Sequence, residues 1–565
     1  MQDSKNLKEI KKTNITKKII EDLEKIVGDS QWVNTDIEIL MNYSMDMTEQ
    51  VAPTLAEVAV MPDSTSEVSQ IMKLANRFKI PVIPYAAGAN VGGLTLPHEG
   101  GIIIDFKRMR RLLQIDKENK FIVVEPGFTF GDLKREFMSG GRLEGFRYSF
   151  PFAPPYTSVL TNALLNGLGS LGVKYGCANN FITGLEVVLA SGEIVQIGQN
   201  AINKGKYWIS REPLPDLVGI FVATQGTMGI VTKIGLHLIR QPKYTINYAI
   251  LPKSADDFLR SWVHELDKLN VCDEIGCGYF PAKIAHGIIP DDDLIELMGK
   301  LAGLVRKGNW AKLLRLLGWP LLKAVTFNNP FPLIKFLASK NLLPLPEVGE
   351  DEPLMISGIT ITGETKNIFK AKIKAFKKFT RKQEALVIRP KEFGELAGVF
   401  NSILDLPAQL PAFYDLRGGG LTWVGSYIPH TNVADGVAKG HKILKKLGFF
   451  PVVVLRPMKQ DHYFVMRFII AFNSSDQKEI ANARKAVEKV ADVVLESGGT
   501  PYKMAPPIAK RIWKKADPSF YDFIAKIKDC VDPNGILNPG KLLVNGTPKN
   551  PYKLKDLTGN TGGNE

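Results

Sequence analysis

The sequence predicts an α+β protein with more than one domain. Its 565 residues, of which 45% are hydrophobic and 23% charged, are typical of a globular chain long enough for two or three complete cores. Between Pro53 and Gln241, short apolar strands such as IIIDF and FIVVEPG alternate with helical segments such as EVSQIMKLANRF. Beyond Gln241, strands such as FVMRFIIAFN are accompanied by amphipathic helices such as NARKAVEKVADVVLESGG, which indicates a second α+β domain.

Changes in composition along the chain predict five segments. Residues 1–50 form a polar, helical lead-in, residues 51–241 a first domain and residues 242–500 a second domain. Residues 501–545 are rich in turn formers, as in DCVDPNGILNPGKLL. Residues 546–565 have the polar, Gly- and Asn-rich composition of a disordered tail.

Composition and short motifs argue against several classes of function. The net charge of +14 could attract nucleic acid, but we find no zinc-finger spacing, RNA-recognition signature or long Lys/Arg block, so no nucleic-acid partner is expected. The cysteines form neither CxxC nor a ferredoxin-type run, so no iron–sulfur cluster or attached haem is expected. Without a secretory h-region or a run of about 18 apolar residues, the sequence predicts a cytoplasmic protein.

One basic segment, residues 300–346, leaves two interpretations open. It contains eight basic and no acidic residues, together with Trp310 and Trp319. An amphipathic helix of this composition can make peripheral contact with a membrane. The favoured alternative is a helix pair of the second domain whose apolar face is core and whose basic face meets a subunit or an acidic redox partner.

Two glycine-rich stretches are candidates for a phosphate-binding turn. Gly167, Gly169 and Gly172 have the G-x-G-x-x-G spacing of a dinucleotide-binding turn, which needs a strand before it and a helix after it. The preceding TSVLTNALLN predicts a helix and the following VKYGCANN predicts turns, so that interpretation fails on context. The stretch PYAAGANVGG follows a strand, IPVI, and its small residues allow backbone N–H groups to bind a pyrophosphate.

These segments together resemble a known family of flavoproteins. The first of five blocks is PYAAGANVGG with the following GGIIIDFKRMRRLLQIDKENKFIVVEPG. The other four are GLGSLGVKYG, NNFITGLEVVLASGEIV, VATQGTMGIVTKIGLHLI and DPNGILNPGKLL. The five blocks resemble, in sequence and in order, those of the vanillyl-alcohol oxidase / p-cresol methylhydroxylase (PCMH) superfamily. The resemblance implies a two-subdomain, PCMH-type FAD-binding domain over 51–241. It further implies an α+β cap domain with an antiparallel sheet over 242–500, and a segment, 501–545, that returns to the FAD-binding domain.

The resemblance also implies which residues bind the cofactor, FAD, which we expect to be non-covalent. The pyrophosphate is assigned to Pro84, Tyr85, Ala86, Ala87, Gly88, Ala89, Asn90, Val91 and Gly92. The ribityl chain and phosphates are assigned to Pro151, Thr157, Ser158 and Asn162. The isoalloxazine side is assigned to Gly167, Gly169, Ser170, Gly172 and Tyr175. The adenine end is assigned to Gly226, Gly229, Ile230 and Val231, and the returning segment contributes Asn538 and Lys541.

Within the superfamily, the second-domain blocks are closest to the branch of vanillyl-alcohol oxidase and 4-cresol dehydrogenase. That branch oxidises para-alkylphenols and binds the phenolate with a Tyr-Arg pair, whose place is taken here by Tyr502 and Lys503. Lysine retains the charge but lacks the bidentate fork of arginine. Arg417 and Arg467 are further candidates to pair with a substrate carboxylate or the reduced flavin. Where the branch has an acidic residue near the flavin, this chain has Cys177.

Three alternatives to phenol oxidation stay open. A D-2-hydroxy-acid dehydrogenase of the lactate or glycolate type is one, although the seven histidines form no H-x-G-D-G-N-x-H motif, so no metal is expected. The others are a non-redox enzyme similar to alkylglycerone-phosphate synthase, and a flavin subunit that is inactive outside a larger redox complex.

The sequence also leads to expectations about the electron acceptor and the oligomeric state. Because the chain encodes no redox centre beyond the flavin, the electrons of a small-molecule substrate are expected to pass to oxygen or to a separate cytochrome, iron–sulfur or electron-transferring flavoprotein subunit. We expect a homo- or hetero-oligomer.

Overall fold

A computed structural model describes most of the chain. The described residues are 15–50, 54–89, 92–212, 214–252, 254–281, 353–383, 385–388 and 418–543. The basic segment 300–346, the predicted tail 546–565 and the candidate site residues Asn90, Val91 and Arg417 lie outside them. Within the described ranges, no helix combines the length and the apolar character that crossing a bilayer requires.

The first subdomain is a four-stranded sheet in the order β1-β2-β4-β3, in which β2, β4 and β3 are parallel. Its elements are α1 (Lys17–Val27), β1 (Val33–Asn34), α2 (Ile37–Asn42), β2 (Val58–Val60), α3 (Thr65–Phe78), β3 (Val82–Tyr85) and β4 (Ile102–Asp105). Helix α3 begins where the Ser64 side chain accepts a hydrogen bond from the backbone N–H of Glu67. Its apolar residues, spaced three and four apart, pack with α1 and the sheet in one core.

The second subdomain is an antiparallel sheet in the order β5-β6-β10-β8-β9. Its elements are β5 (Leu112–Asp116), β6 (Phe121–Val124), α4 (Phe130–Phe137), β7 (Phe146–Arg147), α5 (Val159–Leu164), α6 (Gly172–Tyr175), β8 (Ile182–Val188), β9 (Ile194–Gly198), β10 (Ile230–His237) and β11 (Ile239–Arg240). All of β8 is buried, including its polar residues Thr183 and Glu186. Strands β7 and β11 form a separate pair.

The cap is an eight-stranded antiparallel sheet in the order β15-β12-β14-β13-β17-β18-β16-β19. Its strands are β12 (Tyr244–Pro252), β13 (Glu274–Pro281), β14 (Pro353–Gly363), β15 (Ala385–Ile388), β16 (Gly419–Ile428), β17 (Val452–Met458), β18 (Tyr463–Asn473) and β19 (Thr500–Pro501). Its helices within the described residues are α7 (Ala255–Asp257), which continues through a π-helical turn into α8 (Val263–Leu269), and α9 (Lys366–Thr380), α10 (Val433–Lys446) and α11 (Gln477–Glu496).

The two faces of the cap sheet have different roles because side chains alternate along a strand. Even-numbered residues of β18, from Phe464 to Phe472, pack in one apolar core with residues of α10 and α11. The odd-numbered residues point the other way: Ile469 packs near Phe152 and Val465 packs against Leu168, both in the second subdomain. Arg467 lies between these two positions, so the sheet's pleat directs it toward the FAD-binding domain.

The chain returns to the first two subdomains after the cap. Helices α12 (Pro506–Lys515) and α13 (Pro518–Val531) pack in the core of the second subdomain. Beyond them, the backbone runs beside β3: the N–H of Val82 donates to the carbonyl of Ile536 at 2.8 Å, and the N–H of Asn538 donates to the carbonyl of Val82 at 2.8 Å.

An N-terminal strap, residues 44–50, joins the same region to the cap. The carboxylate of Asp46 accepts a hydrogen bond from the N–H of Gly93 at 3.1 Å, and the side-chain amide of Gln50 donates to the carbonyl of Gly92 at 3.2 Å. The carbonyl of Met47 accepts from the N–H of Leu421 in β16 at 2.7 Å. The strap therefore fixes the glycine-rich turn to the cap sheet.

A buried ion pair holds the returning segment in place. Lys528 of α13 is 9% exposed; its ammonium contacts the carboxylate of Asp532 and donates to the carbonyl of Thr227 at 2.6 Å. The carboxylate in turn accepts hydrogen bonds from the N–H groups of Ile536, at 3.0 Å, and Leu537, at 2.8 Å. This network shapes the turn that precedes Asn538.

We predict that Lys528→Met destabilises the protein by about 3–5 kcal/mol, because it leaves the buried carboxylate of Asp532 without its cation. The urea midpoint of unfolding is the measurement, and Lys526→Met, which removes an exposed lysine from the same helix, is the matched control. Equal midpoints for the two variants would contradict the assigned role of the ion pair.

Candidate functional site

A cavity lies where the two subdomains, the cap and the returning segment meet. It has about 1320 Å³ of empty space, part of it open to solvent. From the first subdomain it is lined by the turn after β3, and from the second by residues 151–168 and the segment around β10. Trp423 and Arg467 of the cap line the end beneath the sheet.

The turn after β3 can approach a ligand closely because its residues are small. Pro84, Ala86, Ala87, Gly88 and Ala89 all line the cavity. Gly88 has a φ of +62°, and a Cβ at this position would overlap the ring of Tyr85. The conformation therefore requires glycine.

A second glycine, Gly226, packs directly against the end of β3. Gly226 has a φ of +72°, and a Cβ there would lie 2.7 Å from Cγ of Pro84. Gln225 and Ala223, just before it, also have positive φ, of 59° and 60°. The segment VATQGTMG is thus folded tightly against the end of β3.

Several buried polar atoms along the cavity have no hydrogen-bond partner in the protein. They are Oγ1 of Thr157, Oδ1 of Asn162, Oε1 and Nε2 of Gln225, Oδ1 of Asn538 and Nε1 of Trp423. Buried polar groups are almost always hydrogen-bonded, so this set indicates a bound molecule with several donors and acceptors along its length. FAD, with its ring carbonyls, ribityl hydroxyls and phosphates, fits that requirement.

The cap end of the cavity is aromatic and positively charged. The guanidinium of Arg467 lies 4.8 Å from the ring centre of Trp423, and the ammonium of Lys503 lies 4.9 Å from the same ring. Nη2 of Arg467 donates to the hydroxyl of Tyr502 at 2.7 Å. Burial, and then the charge of Arg467, lower the pKa of Lys503 to about 7.

Tyr502 is held rigidly by its neighbours. It is 7% exposed, and its ring stacks on that of Tyr427 with a centroid distance of 5.2 Å and an interplanar angle of 13°. A Cβ at Gly425 would lie 2.7 Å from the Tyr502 hydroxyl, so this glycine allows the ring to lie against β16. Burial raises the pKa of Tyr502, and the charge of Arg467 offsets only part of that rise. The hydroxyl is therefore protonated near neutral pH.

Cys177, which replaces the acidic residue expected from the resemblance, lies outside the cavity lining. Its Sγ is 3.0 Å from the hydroxyl of Tyr427 and 3.5 Å from that of Tyr463. Burial raises its pKa, so it is a neutral thiol in this aromatic cluster.

The cavity brings together most of the residues assigned from the sequence. Those that line it are Pro84, Ala86, Ala87, Gly88, Ala89, Pro151, Thr157, Ser158, Asn162, Gly167, Gly226, Gly229, Ile230, Val231, Asn538, Arg467, Tyr502 and Lys503. The hydroxyl of Ser158 already donates to the carbonyl of Pro126, at 2.5 Å, and accepts from the N–H of Thr161 at the start of α5. Its side chain therefore shapes the segment rather than offering a free donor.

The other assigned residues within the described ranges lie behind the lining. They are Tyr85, Gly92, Gly169, Ser170, Gly172, Tyr175 and Lys541. Lys541 contacts the carbonyl of Gly93, and burial lowers its pKa to about 7. The Gly169 carbonyl accepts from the guanidinium of Arg456 in the cap. Tyr175 is 37% exposed. Their assignment to FAD contacts stays a prediction.

Sequence reasoning missed several lining residues, and two of them, Trp423 and Gln225, have buried polar atoms without a partner in the protein. Trp423 has the same strand parity as Gly425 and Tyr427, so alternation along GGGLTWVGSY could have placed it on the cavity face. Gln225 belongs to the block VATQGTMG, in which only Gly226 and Gly229 were assigned to FAD binding.

Comparisons with known proteins agree with this geometry. Residues 56–198 match the family model described as FAD binding domain, and residues 427–542 match that described as FAD linked oxidases, C-terminal domain. Glycolate oxidase subunit GlcD of Bacillus subtilis is 32% identical over 229 residues, which are 40% of this chain and 46% of that protein. The chain thus spans about half the length of this curated relative in the match.

Two further similarities extend over nearly the whole chain. The 4-cresol dehydrogenase (hydroxylating) flavoprotein subunit of Pseudomonas putida is 23% identical over 547 residues, 93% of this chain and 95% of that protein. The crystal structure of p-cresol methylhydroxylase with substrate bound has a TM-score of 0.74 at 19% identity and covers 94% of this chain and 98% of that chain. The predicted α+β fold, an FAD-binding domain with a cap, is confirmed, and so is FAD as the cofactor. The chain thus matches the FAD binding domain and the C-terminal domain of FAD linked oxidases, and it has the fold of p-cresol methylhydroxylase.

Proposed function

We propose that the protein is an FAD-dependent oxidoreductase that removes a hydride from a benzylic or hydroxyl-bearing carbon of a small phenolic substrate of the para-alkylphenol type. The observation that carries this proposal is the cap end of the cavity, where Arg467, Tyr502 and Lys503 surround one aromatic surface, Trp423. The 4-cresol dehydrogenase subunit and p-cresol methylhydroxylase, which resemble the chain over nearly its full length, support it.

The polar groups are suited to ionising a phenol. Loss of hydride from a para carbon is easier when the ring oxygen is anionic, so the protein has to accept the phenolic proton and stabilise the charge. Arg467 supplies a permanent positive charge, and Tyr502 supplies a hydroxyl donor fixed by stacking. Lys503, with a pKa of about 7, is available as a neutral amine to accept the proton.

Bound FAD supplies the hydride acceptor. The residues of the chain orient the substrate: Trp423 offers a flat aromatic surface, and Phe152 and Leu168 close the apolar side of the cavity. We infer that the electrons pass to a separate acceptor, either oxygen or a cytochrome, iron–sulfur or electron-transferring flavoprotein subunit.

A second candidate, oxidation of a D-2-hydroxy acid, is favoured by the same two cations. Arg467 and a protonated Lys503 would pair with a carboxylate as readily as with a phenolate. Glycolate oxidase subunit GlcD, which matches 40% of this chain, supports this alternative.

Anaerobic reduction of the bound flavin distinguishes the candidates. We expect 4-alkylphenols to bleach the flavin absorbance of the holoprotein, and D-lactate and glycolate to leave it unchanged. Bleaching by the hydroxy acids alone would favour the second candidate. Absence of bleaching by either class would overturn the proposal in favour of a non-redox enzyme or of a subunit active only in an assembly.

The pH dependence of flavin reduction has opposite signs for the two substrate classes. Lysine is cationic below its pKa, so with a phenol kcat/KM should rise about tenfold per pH unit up to about pH 7 and then level off. With a carboxylate, which needs the ammonium, kcat/KM should fall above about pH 7. Stopped-flow reduction across this range is the measurement. Lys503→Arg, which does not titrate there, should abolish the transition, and an unchanged profile would exclude Lys503 as its origin.

We predict that Tyr502→Phe slows flavin reduction by a phenol about 100-fold, because the ring stack remains while the donor to the phenolate oxygen is lost. The matched control is Tyr427→Phe, which removes a hydroxyl from the stacked partner outside the cavity lining and should leave the rate near that of the wild type. If the two variants behave alike, the Tyr502 hydroxyl does not contact the reacting oxygen.

A further inference from the structure

Three polar side chains that are distant in the sequence of the cap lie close together in the structure. His264 lies on α8, His430 follows β16, and Asp461 lies in the turn between β17 and β18. Nδ1 of His430 is 2.9 Å from the Asp461 carboxylate, and Nδ1 of His264 is 3.3 Å from it. None of the three residues lines the FAD cavity.

The turn that carries Asp461 is unusual in its backbone. Lys459, Gln460 and Asp461 have consecutive positive φ values of 47°, 55° and 59°, a conformation that is unfavourable for non-glycine residues. Their conformation is held by hydrogen bonds from the N–H of Lys459 to the carbonyl of Gly172, at 3.1 Å, and from that of Gln460 to the carbonyl of Val173, at 2.6 Å. As a result, the Asp461 side chain is only 3% exposed, directly between the two imidazoles.

The spacing of the donor atoms matches that of metal ligands. One ligand atom from each residue lies within 4.8 Å of the others. In a tetrahedral zinc site, where bonds are about 2.1 Å long, neighbouring ligand atoms are about 3.4 Å apart. The two imidazole–carboxylate distances in this cluster are close to that value. Two imidazoles and one carboxylate are a donor set preferred by Zn²⁺ and similar ions.

The charge around the cluster is also suitable for a cation. Asp267 lies one turn after His264 on α8. Burial raises the pKa of Asp267, the charge of Asp461 raises it further and His264 lowers it, so a second carboxylate lies within Coulombic range of the cluster.

We propose that His264, His430 and Asp461 bind one divalent transition-metal ion of the zinc type. The side chain of His264 is 51% exposed, which leaves the outer coordination position open to water. The site is separate from the FAD cavity and differs from the H-x-G-D-G-N-x-H pattern, which the chain lacks. The ion would join α8, the end of β16 and the turn after β17, which itself contacts α6 of the FAD-binding domain.

Titration of chelator-treated holoprotein with Zn²⁺ and Co²⁺ tests the proposal. We expect one equivalent bound per chain by calorimetry and by metal analysis after gel filtration, with a rise in melting temperature. His264→Ala should weaken binding by about 100-fold or more, since it removes a direct ligand. The matched control is His462→Ala, because His462 is exposed and adjacent to Asp461; it should bind as the wild type does.

A second variant separates metal binding from a simple hydrogen-bonded bridge. Asp461→Asn retains an oxygen acceptor for one imidazole and offers an amide donor to the other, but it loses the charge, so it should remain folded and FAD-bound yet fail to bind the ion. Absence of stoichiometric binding to the wild type, or equal binding to His264→Ala and His462→Ala, would overturn the proposal and identify the cluster as a His–Asp–His bridge.

Discussion

The architecture depends on one short backbone pairing, that of Val82 with Ile536 and Asn538. It attaches the end of the described chain to the strand that leads into the glycine-rich turn. Lys528 and Asp532 fix the turn that makes this pairing possible. Asn538 then lies between the carbonyls of Leu94 and Gln225, to which its side-chain amide donates at 3.1 and 2.7 Å. The turn is thus held from a part of the chain some 450 residues away.

The chemistry of the site follows from an electrostatic conflict at the cap end. Two cationic side chains lie over one indole ring, with much of their surroundings apolar. In these apolar surroundings the two cations lose hydration and repel each other. The pKa of Lys503 is therefore lower than that of an ordinary lysine. An anion or an ionisable ligand relieves both penalties. The protein is therefore arranged to favour a negatively charged oxygen at this point, whichever substrate class provides it.

The sequence predicts more of the fold than of the site. Local periodicity and turn residues were sufficient for the α+β class, and the order of five blocks indicated the FAD-binding domain. The residues around Gly88 and Asn538 could be predicted because they belong to those blocks. Trp423 lies in β16, and the face of this strand that points to the cavity is the one that the cap helices do not cover. Tertiary packing decides which face the helices cover, so the sequence of the strand alone does not predict it. His264, His430 and Asp461 are 166 and 31 positions apart, so no short sequence motif contains the cluster.

The position of Asn538 has a consequence for biosynthesis. Proteins are made from the N-terminus, and early domains fold while later ones are still on the ribosome. The wall to which Asn538 belongs is completed only when the chain beyond α13 has emerged, long after both subdomains of the FAD-binding domain can form. The complete wall of the cavity therefore exists only after the chain beyond α13 has been synthesised.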